Sequence, residues 1–76
     1  MDLKHIEWLI DGNGNITIGS VGPIRCAAIA ADEDQQLAAF VRRRGKSVLR
    51  LLQRLDAALA KAWEEDAFID EINGPG

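Results

Sequence analysis

The groups whose chemistry could amount to more than solvation are few, and the cations among them are clustered. Arg42, Arg43, Arg44, Lys46, Arg50 and Arg54 are six of the nine basic residues, and no acid interrupts them. Cations at this density can hold phosphate, and Ser47, placed to begin a helix, adds oriented amides. Reading bases requires more. Gln53 is the main residue of the pairing type nearby, and no aromatic side chain is interleaved for stacking. The cluster therefore predicts phosphate contact rather than sequence readout.

Other constellations fall short of their chemistry. Gly45-Lys46-Ser47 ends like a phosphate-binding P-loop, but that motif needs glycine where Phe40 stands, and a strand before it. Asp11-Gly12-Asn13-Gly14-Asn15 is rich in calcium-type oxygens. Aligned from Asp11, however, the motif's glycine falls on Ile16 and its closing glutamate on Gly22. Aligned on Gly14, its first acid falls on Leu9 and its last on Ser20. Cys26 and His5 could pair as nucleophile and base, yet no third residue orients them. Glu64, Glu65, Asp66, Asp70 and Glu71 offer carboxylates without histidine or a pocket-forming segment. The expectation is a chain that is not an enzyme and carries no cofactor and no metal.

These groups must be positioned by a small molecule. Seventy-six residues make one domain, and a hydrophobic content of 47% supports a packed core. Such a core supplies roughly 3–5 kcal/mol, and small chains supplement it with disulfides, metal or a partner. The single cysteine excludes an internal disulfide. The absence of a basic-then-apolar leader and of any run of 18 apolar residues predicts a cytoplasmic protein without membrane contact.

Along the chain, residues 3–10 alternate, with Ile6, Trp8 and Ile10 on one side. This predicts a strand. A three-residue loop, Gly12-Asn13-Gly14, would then pair Ile10 with Ile16 and Trp8 with Ile18, with Gly14 as the left-handed residue. Ile24–Ala31 reads as a third strand, with an alanine-rich helix opened by Pro23 as the alternative. Asp32-Glu33-Asp34 followed by Gln35 resembles a helix start, predicting a helix over about 33–44 with Leu37, Phe40 and Val41 inward and Gly45 at its end. Ser47 caps a second helix over about 47–65. There Val48, Leu51, Leu52, Leu55, Leu59, Ala62 and Trp63 fill an arc roughly 120° wide at 100° per residue. That stripe ends at Trp63, so the helix breaks near Glu65 or Asp66.

The predicted fold is α+β: a short antiparallel meander of two or three strands over about 3–30, then an antiparallel two-helix hairpin packed on one sheet face, then a tail over 66–76. In such a hairpin the bases form a cationic tip, and the C-terminal acids gather at the opposite, open end. Bases at a helix start cost a few tenths of a kcal/mol up to about 1 kcal/mol each, so helix stability does not explain the pattern. The apolar stripe exceeds what a thin sheet can cover. Trp63, Phe68, Ile69, Ile72 and Leu59 are therefore the expected partner-binding residues, and the partner is a second copy or another protein. The predicted function is a non-enzymatic interaction module forming a homodimer. The alternative is a nucleic-acid-associated regulator using Arg42–Arg54. No small-molecule substrate is implied.

Overall fold

The computed structural model describes residues 3–72. It is an α+β structure of two helices and a four-stranded mixed sheet, in the order α1 (Lys4–Asp11), β1 (Asn15–Val21), β2 (Ile24–Ala31), β3 (Gln36–Val41), α2 (Val48–Glu65) and β4 (Ile69–Asp70). The strands lie in the order β1-β2-β3-β4. The first three form an antiparallel meander, and β4 pairs in parallel with β3 after α2 crosses over. No helix among the described residues is long and apolar enough to cross a membrane.

The predicted strand over residues 3–10 is a helix instead. Ile6, Trp8 and Ile10 fit a period of two, but Leu3, Ile6 and Leu9 fit a helical spacing, and it is Ile6 and Leu9 that are buried. Trp8, Ile10 and Ile18, expected in the core, are exposed, and Ile16 packs only at its margin. The predicted pairs of Ile10 with Ile16 and Trp8 with Ile18 do not form. Ile16 and Ile18 pair with Ala30 and Ala28. The loop at residues 12–14 exists, but it joins helix to strand. Its left-handed residue is Asn13 (φ 69°), not Gly14. Gly14 is required for space. A Cβ there would collide with Leu9 Cδ1 and lie 2.9 Å from the Leu9 carbonyl oxygen.

The predicted helix over 33–44 is also overturned, so there is no two-helix hairpin. The local chemistry is as expected: Asp32 Oδ1 accepts the amides of Asp34 and Gln35, each at 2.8 Å. The same Asp32, however, donates its own amide to the Gln35 carbonyl at 2.9 Å, which closes a hairpin turn rather than a first helical turn. The chain then runs back along β2, pairing Ala30 with Ala38 and Ala28 with Phe40. Pairing with a strand already in place outweighs a weak local preference for helix. A bulge near Ala30/Ala31 accommodates one extra residue in β3.

Ile24–Ala31 is a strand of the sheet as predicted, and α2 keeps the middle of the expected stripe: Leu51, Leu55, Leu59 and Ala62 are buried, Leu52 packs at the margin of the core, and Val48 and Trp63 are exposed. Ser47 Oγ accepts the Arg50 amide at 3.2 Å, and the helix ends on Asp66 in the left-handed conformation (φ 53°). Leu51, Leu55, Ala58, Leu59 and Ala62 are buried along it, and α1 packs beside it. One core joins Ile6 and Leu9 of α1, Ala28 and Ala30 of β2, Leu37, Ala38 and Phe40 of β3, and this face of α2.

Small side chains fill half of the buried hydrophobic positions. Seven of the fourteen buried hydrophobic residues among those described are alanine, while eight large hydrophobic residues are exposed. A buried methyl contributes about 0.8 kcal/mol, against about 1.5–3 kcal/mol for a buried Leu, Ile or Phe.

Candidate functional site: an aromatic patch and a cationic cleft

Asp56 is the buried charged residue of α2, 9% exposed, on the side facing α1. Its Oδ1 accepts the Ile6 amide at 2.9 Å, and its Oδ2 lies 3.0 Å from His5 Nδ1. Ile6 is the third residue of α1, whose first amides have no partner within the helix. Leu3, at the capping position, has no side chain able to accept them. Asp56 therefore performs from across the core the task of a missing N-cap. An isolated helix of eight residues is marginal in water, so α1 depends on this cap and on burying Ile6 and Leu9.

The cap also orients His5. Its ring meets Trp8 edge-on, with centroids 5.2 Å apart and planes at 73°, and lies 6.1 Å from Trp63. Lys4 Nζ stands 5.7 Å from the Trp8 ring centre. The only histidine and both tryptophans of the chain are thus gathered at the junction of α1 and α2. Trp8 is 58% exposed and Trp63 43%. The His5–Asp56 pair has the form of a base with its orienting acid, but Cys26, the nucleophile that the sequence would pair with His5, lines a different feature.

Of the expected partner-binding residues, Trp63, Phe68 (47%) and Ile69 are exposed, and Ile72 is partly buried. Leu59 is a correction: it is fully buried within the core and presents nothing to a partner. Sequence reasoning misses Trp8 and His5. Once residues 4–11 are helical, a spacing of three puts His5 and Trp8 on adjacent turns of one flank. Their meeting with Trp63 follows only from the packing of α1 on α2.

The second feature is a cleft of about 860 Å³ between the start of β2 and the loop joining β3 to α2. Arg25, Arg42, Arg43, Arg44 and Lys46 line it, with Cys26 in its wall and no carboxylate among the lining residues. The Arg42 amide donates to the Cys26 carbonyl at 3.0 Å, which sets the two strand ends side by side. Arg42 Nε donates to the Lys46 carbonyl at 2.7 Å, and Gly45 turns the loop at φ 78°. Four of the six predicted cations thus converge. Arg50 and Arg54 do not join them and flank a separate hollow of about 320 Å³. Arg54 is engaged in the fold, with its guanidinium carbon 4.5 Å from the Phe40 ring centre and donors to the Val41 carbonyl and to Glu71.

Glu71 also corrects the expected separation of a basic tip from an acidic open end. It reaches the cationic side, 2.7 Å from Arg54 and 3.5 Å from Arg43. Arg25 is not foreseeable from the sequence, because only a strand at 36–41 brings the start of β2 beside Arg42. Among the described residues no group of three or more His, Cys, Asp or Glu side chains could hold a metal ion. Comparison with known proteins finds no matching family model, no matching curated protein and no matching solved structure.

Proposed function

We propose that the chain is a non-enzymatic interaction module that associates with a second copy of itself through the Trp8–His5–Trp63 patch. The observation that carries this reading is the inverted placement of apolar bulk. Alanine fills half of the core positions, and both tryptophans lie outside. A small core in which half of the positions bury only a methyl group leaves the protomer weakly stabilised, and mass action with a second copy is a direct remedy. Exposed tryptophans held in a fixed arrangement are the kind of residue that dominates binding energy at interfaces. The Asp56 hydrogen bond lowers the ordering cost by fixing His5 between the two indoles before any partner arrives. A symmetric contact would bring each patch against its own copy.

Tryptophan emission tests this directly, because both indoles belong to the patch and no other tryptophan contributes. Concentrating the protein from low to high micromolar should shift emission to the blue and reduce acrylamide quenching. Spectra and quenching constants independent of concentration would reject self-association at this patch.

A further inference from the structure

We propose that the cleft between the start of β2 and the β3–α2 loop binds a compact polyphosphate group. Five cations line one concavity, no acid is among its lining residues, and the chain as a whole carries a net charge of −3. Of these five, Arg25, Arg44 and Lys46 make no ion pair with any described residue. Like charges lining one cleft repel one another, and the arrangement gains most when an anion occupies it. The loop is held by a contact of its own: Arg42 is tied to the Lys46 carbonyl through Nε, which leaves its terminal nitrogens for other acceptors. Ser47 in the wall begins an eighteen-residue helix with no acid in its first turn, so the positive end of that helix adds to the same field.

The geometry favours a compact ligand over an extended nucleic-acid backbone. The volume falls within the range of roughly 300–1,000 Å³ usual for small-ligand sites. No cationic track leads onward, because Arg54 is held by Glu71 and Arg50 faces another hollow. No aromatic ring lines the cleft to stack a base. The shared chemistry is a chain of linked phosphates, free or carried by a nucleotide. This inference stands on the cations alone and does not depend on the aromatic patch.

Calorimetric titration of the full chain at low salt, with tripolyphosphate in one arm and ATP in another, tests it. Both are expected to bind, with affinity falling as salt is raised from about 50 to 200 mM. Equal affinities identify the phosphate chain itself as the ligand, and a markedly tighter ATP identifies a nucleotide. Arg25→Gln and Lys46→Gln should each weaken binding by about tenfold, the equivalent of one charge-assisted hydrogen bond. Arg50→Gln, outside the cleft, should leave it unchanged. Tripolyphosphate should also slow iodoacetamide alkylation of Cys26 in the unaltered chain, which reads the site without any substitution. The proposal is overturned by absence of binding in both arms or by equal loss in Arg50→Gln. Unprotected Cys26, or a single-stranded oligonucleotide that outbinds tripolyphosphate with affinity rising with length, would also overturn it.

Discussion

Asp56 and Ile6, fifty residues apart, share a hydrogen bond of 2.9 Å that joins the middle of α2 to the first turn of α1. The other oxygen of the same carboxylate holds His5 at 3.0 Å. One side chain thus supplies a helix cap, a contact between the helices and the orientation of the ring between two tryptophans. Removing it leaves the Ile6 amide without its partner and His5 free to turn. Asp56→Ala is expected to destabilise the protein by about 1–3 kcal/mol, read from urea denaturation, and to loosen the Trp8 environment. Asp56→Asn keeps a carbonyl oxygen for the Ile6 amide and should recover part of the loss. A stability unchanged in Asp56→Ala would show that α1 is held by burial of Ile6 and Leu9 alone.

Gly14 is the closest approach between the loop and α1. Its amide donates to the Leu9 carbonyl at 2.8 Å, and a Cβ would collide with both the side chain and that carbonyl of Leu9. Leu9 is buried and cannot swing into solvent without opening the core. Gly14→Ala should therefore destabilise by about 1–3 kcal/mol, as overpacked sites do. In a domain of this size each kcal/mol corresponds to roughly 4–8 °C in Tm. Thermal melting monitored by circular dichroism checks this, and an unchanged Tm would contradict it.

Glu71 closes the far edge of the sheet. Its amide donates to the Ala39 carbonyl at 2.9 Å, its Oε1 accepts the Val41 amide at 2.9 Å, and its Oε2 takes Arg54 at 2.7 Å. β4 itself is only two residues long. Glu71→Ala should cost about 1–2 kcal/mol and speed hydrogen exchange at Val41 more than at Ala28 on the central strand. Equal protection at Val41 in both proteins would show that β4 is held without this carboxylate.

How far these relationships can be read from sequence differs from element to element. The stripe from Leu51 to Ala62 repeats over several turns, so its period is unambiguous, and Ser47 marks its start. Residues 4–11 are too few to separate a period of two from a helical one, and the residue that settles the matter, Asp56, is fifty positions away. Asp32 shows a different ambiguity. A side chain accepting amides two and three residues on serves a helix start or a hairpin turn equally, and only pairing with β2 decides between them. The candidate sites inherit these limits. Arg42, Arg43, Arg44 and Lys46 lie within five positions of one another, so their cluster is visible in the sequence. Arg25 and the Trp8–His5–Trp63 contacts require the correct elements first. Leu59 falls on the wrong side of the expectation because the stripe marks a buried face without showing where its cover ends.

On the proposed function, apolar bulk outside an alanine-rich core draws two copies together through Trp8, His5 and Trp63. Sedimentation equilibrium over low to high micromolar protein reads this association as mass, run on the natural chain and on Trp63→Ala. The natural chain should pass from 8.3 kDa toward twice that mass, and the variant should remain near 8.3 kDa with its fold retained. A natural chain that stays at 8.3 kDa throughout, or a variant that dimerises equally well, would contradict it.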